Sequence, residues 1–427
     1  MRIFFKGHRA GWLVLLALMP AISALAAPPA LTLEAAVALA LHRSPGHQAA
    51  ESATQASREA AVQAGQLPDP MLKLGVDNLP VEGPDRWSLT HDFMTMRRIG
   101  IEQQWVSSTK RAARTERAGQ LVAMQEAEAL MYAADIREQT AQAWIQMRHA
   151  QRALGYAMQL AQHTADDLAA VQAAHRGGKG SAADVAQAQL ALARTHDGVA
   201  RAKQDLTTAR IALQRWVQAN VDTVDEQLPP MTVPVQHLAA AGLEQHHPSL
   251  IKARRAQSLA EAEVTVSATE RRPDWSFELA FSQRGSPYAN MVSFGVTIPL
   301  TVNPAQRQDR AIAEKAAQAT AAKLQADEAQ RTLAAGLDSL QAEMTSLAGR
   351  ATWLTQHALP TAQQAVDLSL AAYRAGSGTL SSIFTARRML VEQQLQIAEL
   401  ERDAALAWAQ LSFPLTTANA PMKESQP

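Results

Sequence analysis

Two long stretches of this chain contain no proline, and one cluster of glycines lies within the first and another shortly after the second. The first stretch runs from Trp105 to Val217 and the second from Ala305 to Leu359, while prolines gather at positions 45, 68, 70, 80, 84, 229, 230, 234, 248, 273, 287, 299 and 304. Proline ends helices and central strands, so these stretches are free to form very long helices. The clusters are His175-Arg176-Gly177-Gly178-Lys179-Gly180-Ser181 and Tyr373-Arg374-Ala375-Gly376-Ser377-Gly378-Thr379. They align at a constant offset of 198 residues, placing Arg176 on Arg374, Gly178 on Gly376 and Gly180 on Gly378. Glycine permits the left-handed conformation that closes a helix, and Ser181 and Thr379 supply hydroxyls that cap the next one. Both clusters therefore read as tips of helical hairpins.

The flanking blocks carry coiled-coil spacing. Leu154, Met158, Ala161, Ala165 and Leu168 form one seam, and Leu333, Leu337, Leu340, Met344, Leu347, Ala351 and Leu354 form another. Residues 107–175 and 305–375 would each span on the order of 100 Å at ~1.5 Å per residue. The offset pairing extends outside the helices: Pro45 matches Pro248, Pro68-Asp69 matches Pro273-Asp274, and Ile99-Gly100-Ile101 matches Phe294-Gly295-Val296. The chain is an internal duplication of roughly 200 residues.

Between each proline-marked start and its long helix, apolar and polar residues alternate. Leu72, Leu74 and Val76 alternate within 71–77, Phe277, Leu279 and Phe281 within 275–282, and Val292, Phe294, Val296 and Ile298 within 292–298. Residues 96–105 place Ile99, Ile101 and Trp105 on one side. Such alternation predicts strands with one apolar face, which could cover a soluble core or face lipid. Lipid is favoured, because the strands approach the roughly 9–11 residues of a tilted barrel strand and the helices are committed to their own seams. Four strands cannot close a barrel whose smallest examples have about 8, so several copies must complete it.

Residues 1–26 fit an export signal: Arg2, Lys6 and Arg9, an apolar run from Gly11 to Met19, then Ala24-Leu25-Ala26 as a small-residue cleavage site. The 40 basic and 40 acidic residues balance, which gives no reason to expect nucleic-acid binding. There is no cysteine, which excludes disulfides, a thiol nucleophile and a lipid-modified cysteine anchor. Gly177-Gly178-Lys179-Gly180-Ser181 departs from a phosphate loop, because Gly180 separates the lysine from the serine. His246-His247 would point about 100° apart on a helix and chelate poorly; Met94 and Met96 could offer soft thioether ligands but fit a loop or strand start better. His42 and His47 flank Pro45 and read as structural. No enzyme activity, cofactor or resident metal is expected.

The order of these features resembles the TolC-like outer-membrane efflux family over nearly all of the chain after the signal. The residues that carry the likeness are Leu31-Thr32-Leu33-Glu34-Ala35-Ala36, Ser44-Pro45, the strand starts at Pro68 and Pro273, Phe294-Gly295-Val296-Thr297-Ile298-Pro299-Leu300, and Tyr373-Arg374-Ala375-Gly376. Leu67-Pro68-Asp69-Pro70, Asp77-Asn78-Leu79-Pro80 and the run Asp92 to Gly100 are similar to that family's heavy-metal (Czc/Cus-type) branch. The resemblance implies a mostly α chain with a membrane β-barrel part, in which a long coiled-coil α-barrel joins four strands per protomer and a homotrimer closes a twelve-stranded barrel. It implies an outer-membrane location with a periplasmic tunnel, a periplasmic adaptor, an inner-membrane resistance-nodulation-division pump and metal cations as substrate. Relatives often place aspartates just past the second tip. Here those positions are Ser382 and Thr385, while the first repeat has Asp184, so no acidic ring carries over to the second tip.

The expected organisation is a signal at 1–26, a helical segment at 27–67, a β-hairpin at 68–106, a helical hairpin at 107–219 with its tip at 176–181, and a linker at 220–247. The second repeat follows, with a helix at 248–272, a β-hairpin at 273–303, a helical hairpin at 304–412 with its tip at 376–380, and a tail at 413–427. Adaptor docking and gating are expected at the tips, on Arg176, Gly178, Gly180 and Asp184 in the first and Tyr373, Gly376, Leu380 and Ser381 in the second. Two other readings stay open: a duct for drugs, solvents or secreted polypeptide, and a periplasmic coiled-coil scaffold without transport.

Overall fold

The computed structural model describes residues 30–178, 180–233 and 240–415; the expected signal segment, Lys179 and residues from 416 onward lie outside the described residues. Helix α1 (Leu33–Arg43) starts at the Thr32 cap, and α2 (Pro45–Ala64) starts at Ser44 with Pro45 in its first turn. Strands β1 (Met71–Asp77) and β2 (Met96–Trp105) follow, then α3 (Ser108–Arg176) and α4 (Ala182–Val217). After the short α5 (Ala240–His246), the series returns as α6 (Pro248–Thr269), β3 (Trp275–Gln283), β4 (Met291–Thr297), α7 (Gln308–Trp353), α8 (Leu359–Arg374) and α9 (Leu380–Ser412). The order helix, two strands, long helix, shorter helix thus occurs twice, as the offset pairing predicts.

The second long helix is not a plain α-helix. Between α7 and α8 the residues Leu354–Ala358 form one π turn. Pro360 explains it: proline lacks the N–H and its ring clashes with the carbonyl four residues back. Widening the turn lets the chain run on instead of breaking, and the Leu359 N–H bonds the Leu354 carbonyl. The α7 seam therefore ends in an irregular turn at Leu354.

Helix α3 is the spine, packing against α1, α2, α4, α6 and α9. The main core lies part-way along it, where Trp144 is fully buried among Leu33, Ala36, Val37, Leu213, Val217, Ala405 and Ala409. The Trp144 indole N–H donates to the Leu31 carbonyl at 2.8 Å, and Leu31 bridges to Val224 beside it. Alanine lines much of this contact because small side chains let helix axes approach toward the low end of the 8–10 Å range. Further along α3, the structure shifts the expected seam. Leu154, Ala161, Ala165 and Leu168 are only half-buried and Met158 is exposed, whereas Thr164, Asp167 and Val171 on the adjoining stripe are buried. A heptad pattern alone does not say which of two neighbouring stripes the same chain covers.

The four strands form one antiparallel sheet in the order β1-β2-β3-β4, with β2 and β3 joining the two repeats. Its register sorts the side chains by chemistry. Leu72, Ile101, Leu279 and Phe294 form one row across all four strands, and Leu74, Ile99, Phe281 and Val292 form the next. All eight are exposed. The opposite face carries Lys73, Asp77, Arg98, Glu102 and Glu278. There Lys73 bridges Glu102 and Glu278, the latter at 2.9 Å, while Arg98 approaches Asp77 at 3.5 Å and Glu278 at 3.6 Å. The middle strands have 10 and 9 residues and the edge strands 7 each. Beyond β4 the alternation continues through Ile298, Leu300 and Val302, all exposed, on an edge that no strand among the described residues covers.

Lys110 welds sheet to helices. It sits in the first turn of α3 and its side chain is only 2% exposed. Its ammonium reaches Asp274 at 2.9 Å, Glu270 at 3.0 Å and the Arg272 carbonyl at 3.0 Å, which uses all three of its donors. Burial works against the Glu270 charge, yet Arg114 and Lys110 together hold its carboxyl below the usual range. Nearby, Glu263 on α6 receives Arg117 from α3 and Lys315 from α7, so α6 is pinned between the two long helices. Replacing Lys110 with Met is expected to cost about 2–3 kcal/mol, less than a fully buried pair because Glu270 is partly solvated. The measurement is the thermal midpoint of the purified protein. Adding Asp274→Asn should recover part of the loss, and an unchanged midpoint for Lys110→Met would remove this role.

Candidate functional site at the helical hairpin tips

Each glycine cluster closes a helix and opens the next. Gly178 and Gly376 have φ of +73° and +76°, the left-handed region that glycine enters without strain. The two following glycines serve a different need. A Cβ on Gly378 would lie 2.9 Å from the Tyr373 nitrogen, and one on Gly180 would lie 3.3 Å from the His175 nitrogen. The turn folds back against its own helix end, so Gly378 excludes a side chain by contact and Gly180 leaves little room for one.

The caps differ between repeats. In the first, the Ser181 hydroxyl accepts from the Asp184 N–H at 3.1 Å. The Asp184 carboxylate accepts from the Ser181 N–H at 3.0 Å and from its hydroxyl at 2.8 Å, a complete capping box. The Ser181 hydroxyl and then its N–H hold the Asp184 carboxyl below its ordinary range. That cap is complete above the ordinary carboxylate range and is lost as pH falls through the lowered pKa. In the second repeat Thr379 accepts from the Ser382 N–H at 3.3 Å, and the Ser382 hydroxyl donates back to the Thr379 carbonyl at 2.6 Å. Asp184 and Ser382 occupy the same structural place, and the charge difference between them is a difference in cap chemistry.

The two tips touch. Val171, Ala188, Leu380 and Ile383 form a small buried cluster, with Leu168, Val185, Leu370, Tyr373 and Phe384 packed around it. Arg176, Gly178, Gly376 and Ser381 are exposed, and Gly180, Asp184 and Tyr373 are half-buried. Leu380 is only 7% exposed and faces the cluster rather than solvent. The structure thus brings the two expected sets of residues to one end of the molecule and divides them into an exposed rim and an internal contact.

One pair was not visible in the sequence. Arg387 on α9 binds Asp167 on α3 at 2.5 Å and also donates to the His163 carbonyl at 3.0 Å. Burial pushes the Asp167 carboxyl above its usual range, and the neighbouring Arg387 charge only partly offsets this. The partners stand 220 residues apart in sequence, and neither belongs to a motif. Among the described residues no group of three or more histidines, aspartates or glutamates is placed to hold a metal ion.

Residues 241–415 match the family model described as outer membrane efflux protein. No curated protein matches the chain. Solved structures match nearly all of it. CusC, from structures describing folding and transmembrane channel formation, superposes with a TM-score of 0.73 at 15% identity over 89% of this chain and 90% of that one. The outer membrane protein VceC of Vibrio cholerae gives 0.71 at 17% identity over 89% and 96%. The CmeC outer membrane channel of Campylobacter jejuni gives 0.74 at 10% identity over 90% and 85%. At such identities the agreement is one of fold, a long helical body carrying a four-stranded antiparallel sheet.

Replacing Arg387 with Ala leaves Asp167 buried and without its cation. The expected loss is about 1.5–3 kcal/mol of local stability, read as at least tenfold faster deuterium uptake over residues 163–171 and 380–390. Uptake in the sheet should not change. Combining it with Asp167→Asn should slow the exchange again, since a neutral amide needs no counter-charge. Unaltered uptake in the single variant would show that the pair does not hold the tips.

Proposed function

We propose that this chain is the outer-membrane exit channel of a tripartite efflux system. Three copies close a twelve-stranded barrel above a periplasmic helical tunnel, and a periplasmic adaptor and a resistance-nodulation-division pump complete the path for heavy-metal cations. One observation carries the channel reading: a sheet with two complete apolar rows on one face, charged side chains on the other, and open edges at β1 and β4. Backbone polar groups at such edges must be paired if the apolar face lies in hydrocarbon. Copies of the same chain supply that pairing, and the charged face then lines the lumen. The match of residues 241–415 to the outer membrane efflux family supports the same reading. Among the described residues no helix is long and apolar enough to cross a membrane.

The metal-cation reading rests on the likeness of residues 67–104 to the heavy-metal branch and on CusC among the similar structures. Those residues also have a structural task. The Asp92 carboxylate accepts from the Met94 and Thr95 N–H groups, and the Thr95 hydroxyl donates to the Asn78 carbonyl, which closes the base of the β1–β2 loop. A conduit must release what it carries, so a strong metal site in its wall is not required.

Two experiments test the proposal. Fractionation with chemical crosslinking should recover a trimer from outer membranes, and a soluble periplasmic monomer would overturn the channel reading. Deleting the chain should lower tolerance to metal cations and leave drug tolerance unchanged; the reverse pattern would replace the substrate class and keep the channel. For the tips, Gly178→Trp and Gly376→Trp are expected to abolish adaptor crosslinking and reduce export at least tenfold while trimer yield persists. Unchanged crosslinking and export would remove the docking and gating role.

A further inference from the structure

At the end of the sheet nearest the helices, the apolar face carries a groove of about 690 Å³ lined by Trp105, Ser107, Arg272, Pro273, Trp275 and Phe277. Trp105 and Trp275 are cross-strand partners, and both share the face of the Leu72–Phe294 row. They remain 52% and 46% exposed. Phe277 adjoins Trp275 with ring centroids 6.4 Å apart and stacks on Phe294 at the same distance, which continues an apolar track along the sheet. Arg272 is the one charged residue lining the groove, and no acidic residue lines it. Its backbone is fixed by Lys110, while the charge of the adjacent Arg271 is engaged by Asp309 at 2.8 Å. Ser107 accepts from the Lys110 N–H, which leaves its hydroxyl proton to donate.

We infer that this groove binds an anionic phospholipid of the membrane leaflet next to the helical body, with the phosphate on Arg272 and Ser107 and an acyl chain along Trp275, Phe277 and Phe294. The inference rests on the proposed membrane placement of the sheet. Its chemistry is complementary: a single uncompensated cation at the rim and an aromatic wall running toward the hydrocarbon rows. Tryptophan rings prefer the headgroup level, and a cation near an anionic leaflet enriches anionic lipid. The groove lies on the two middle strands. Copies that pair through β1 and β4 would therefore leave it open to lipid.

The test uses the full chain with Trp87→Phe, which removes the tryptophan of the opposite loop. The protein is reconstituted in nanodiscs of phosphatidylcholine containing equal mole fractions of brominated phosphatidylglycerol or brominated phosphatidylcholine. Brominated phosphatidylglycerol should quench the tryptophan emission with about fivefold higher apparent occupancy. In Arg272→Gln this preference should fall to parity while quenching by phosphatidylcholine stays unchanged, showing that the variant is folded and inserted. Parity in the parent protein, or a preference that survives Arg272→Gln, would overturn the site. Absence of quenching by either lipid would overturn the membrane placement of the sheet and the site with it.

Discussion

The two repeats meet at a pair of like charges. Glu102 on β2 stands directly opposite Glu278 on β3, in the one strand pairing among the described residues that crosses from one repeat to the other. Opposed carboxylates destabilise a sheet, and here Lys73 from β1 reaches both. Lys73, with Arg98 near Glu278, offsets that repulsion within the β2–β3 pairing that joins two hairpins into one sheet, and continuity is what puts every apolar row on one side. Small residues help on the charged face: a Cβ on Gly100 would lie 3.0 Å from the Ala280 Cβ, so the strands meet there with no room for a larger side chain.

The helical body obeys a different rule. Helices of 69 and 46 residues cannot be held by propensity at their surfaces alone; they need contact along their length. Alanine supplies it around Trp144, and ion pairs supply it where α6 lies between α3 and α7. The exception is the π turn before Pro360, which has no counterpart in α3. Its residues Thr355 and Gln356 line a cleft with Arg148 and Glu401, so the irregular turn borders a cleft on the side where it meets α9. Bending of long helices concentrates at such defects, and the duplication has therefore produced one uninterrupted spine and one with a single irregular turn.

Much of this was legible in the chain because its signals are periodic or punctuated. Strands β1 and β2 fall on the residues that their alternation marks, β3 runs one residue further, and β4 lies one residue earlier at both ends. The tips fall at the glycines, and both caps fall on Ser181 and Thr379. Three things were not legible. The covered stripe of α3 depends on which neighbour arrives, and Thr164, Asp167 and Val171 carry no mark of it. Lys110 reads as an ordinary surface lysine, since nothing local reveals that residues 270–274 fold over it. Asp184 reads as a free acid at a gate, when its carboxylate is consumed by Ser181.

That last point changes how the tips work as a pair. The Asp184 carboxylate keeps its charge, because its hydrogen bonds come from a neutral serine, so the tips remain electrostatically unlike. They also differ in cap: the start of α4 is held by a capping box, while the start of α9 relies on the Thr379 and Ser382 hydroxyls. Yet the tips do not move independently, because Leu380 and Ile383 of the second are buried against Val171 and Ala188 of the first. Helix α9 is then tied back to α3 by Arg387 on Asp167, one to two turns beyond that cluster. Separating the tips would expose the apolar cluster and leave a buried carboxylate without its cation, whereas swinging both tips together breaks neither contact. Under the channel proposal the two hairpin ends would therefore move as one body, and the contacts that change on opening would lie between copies.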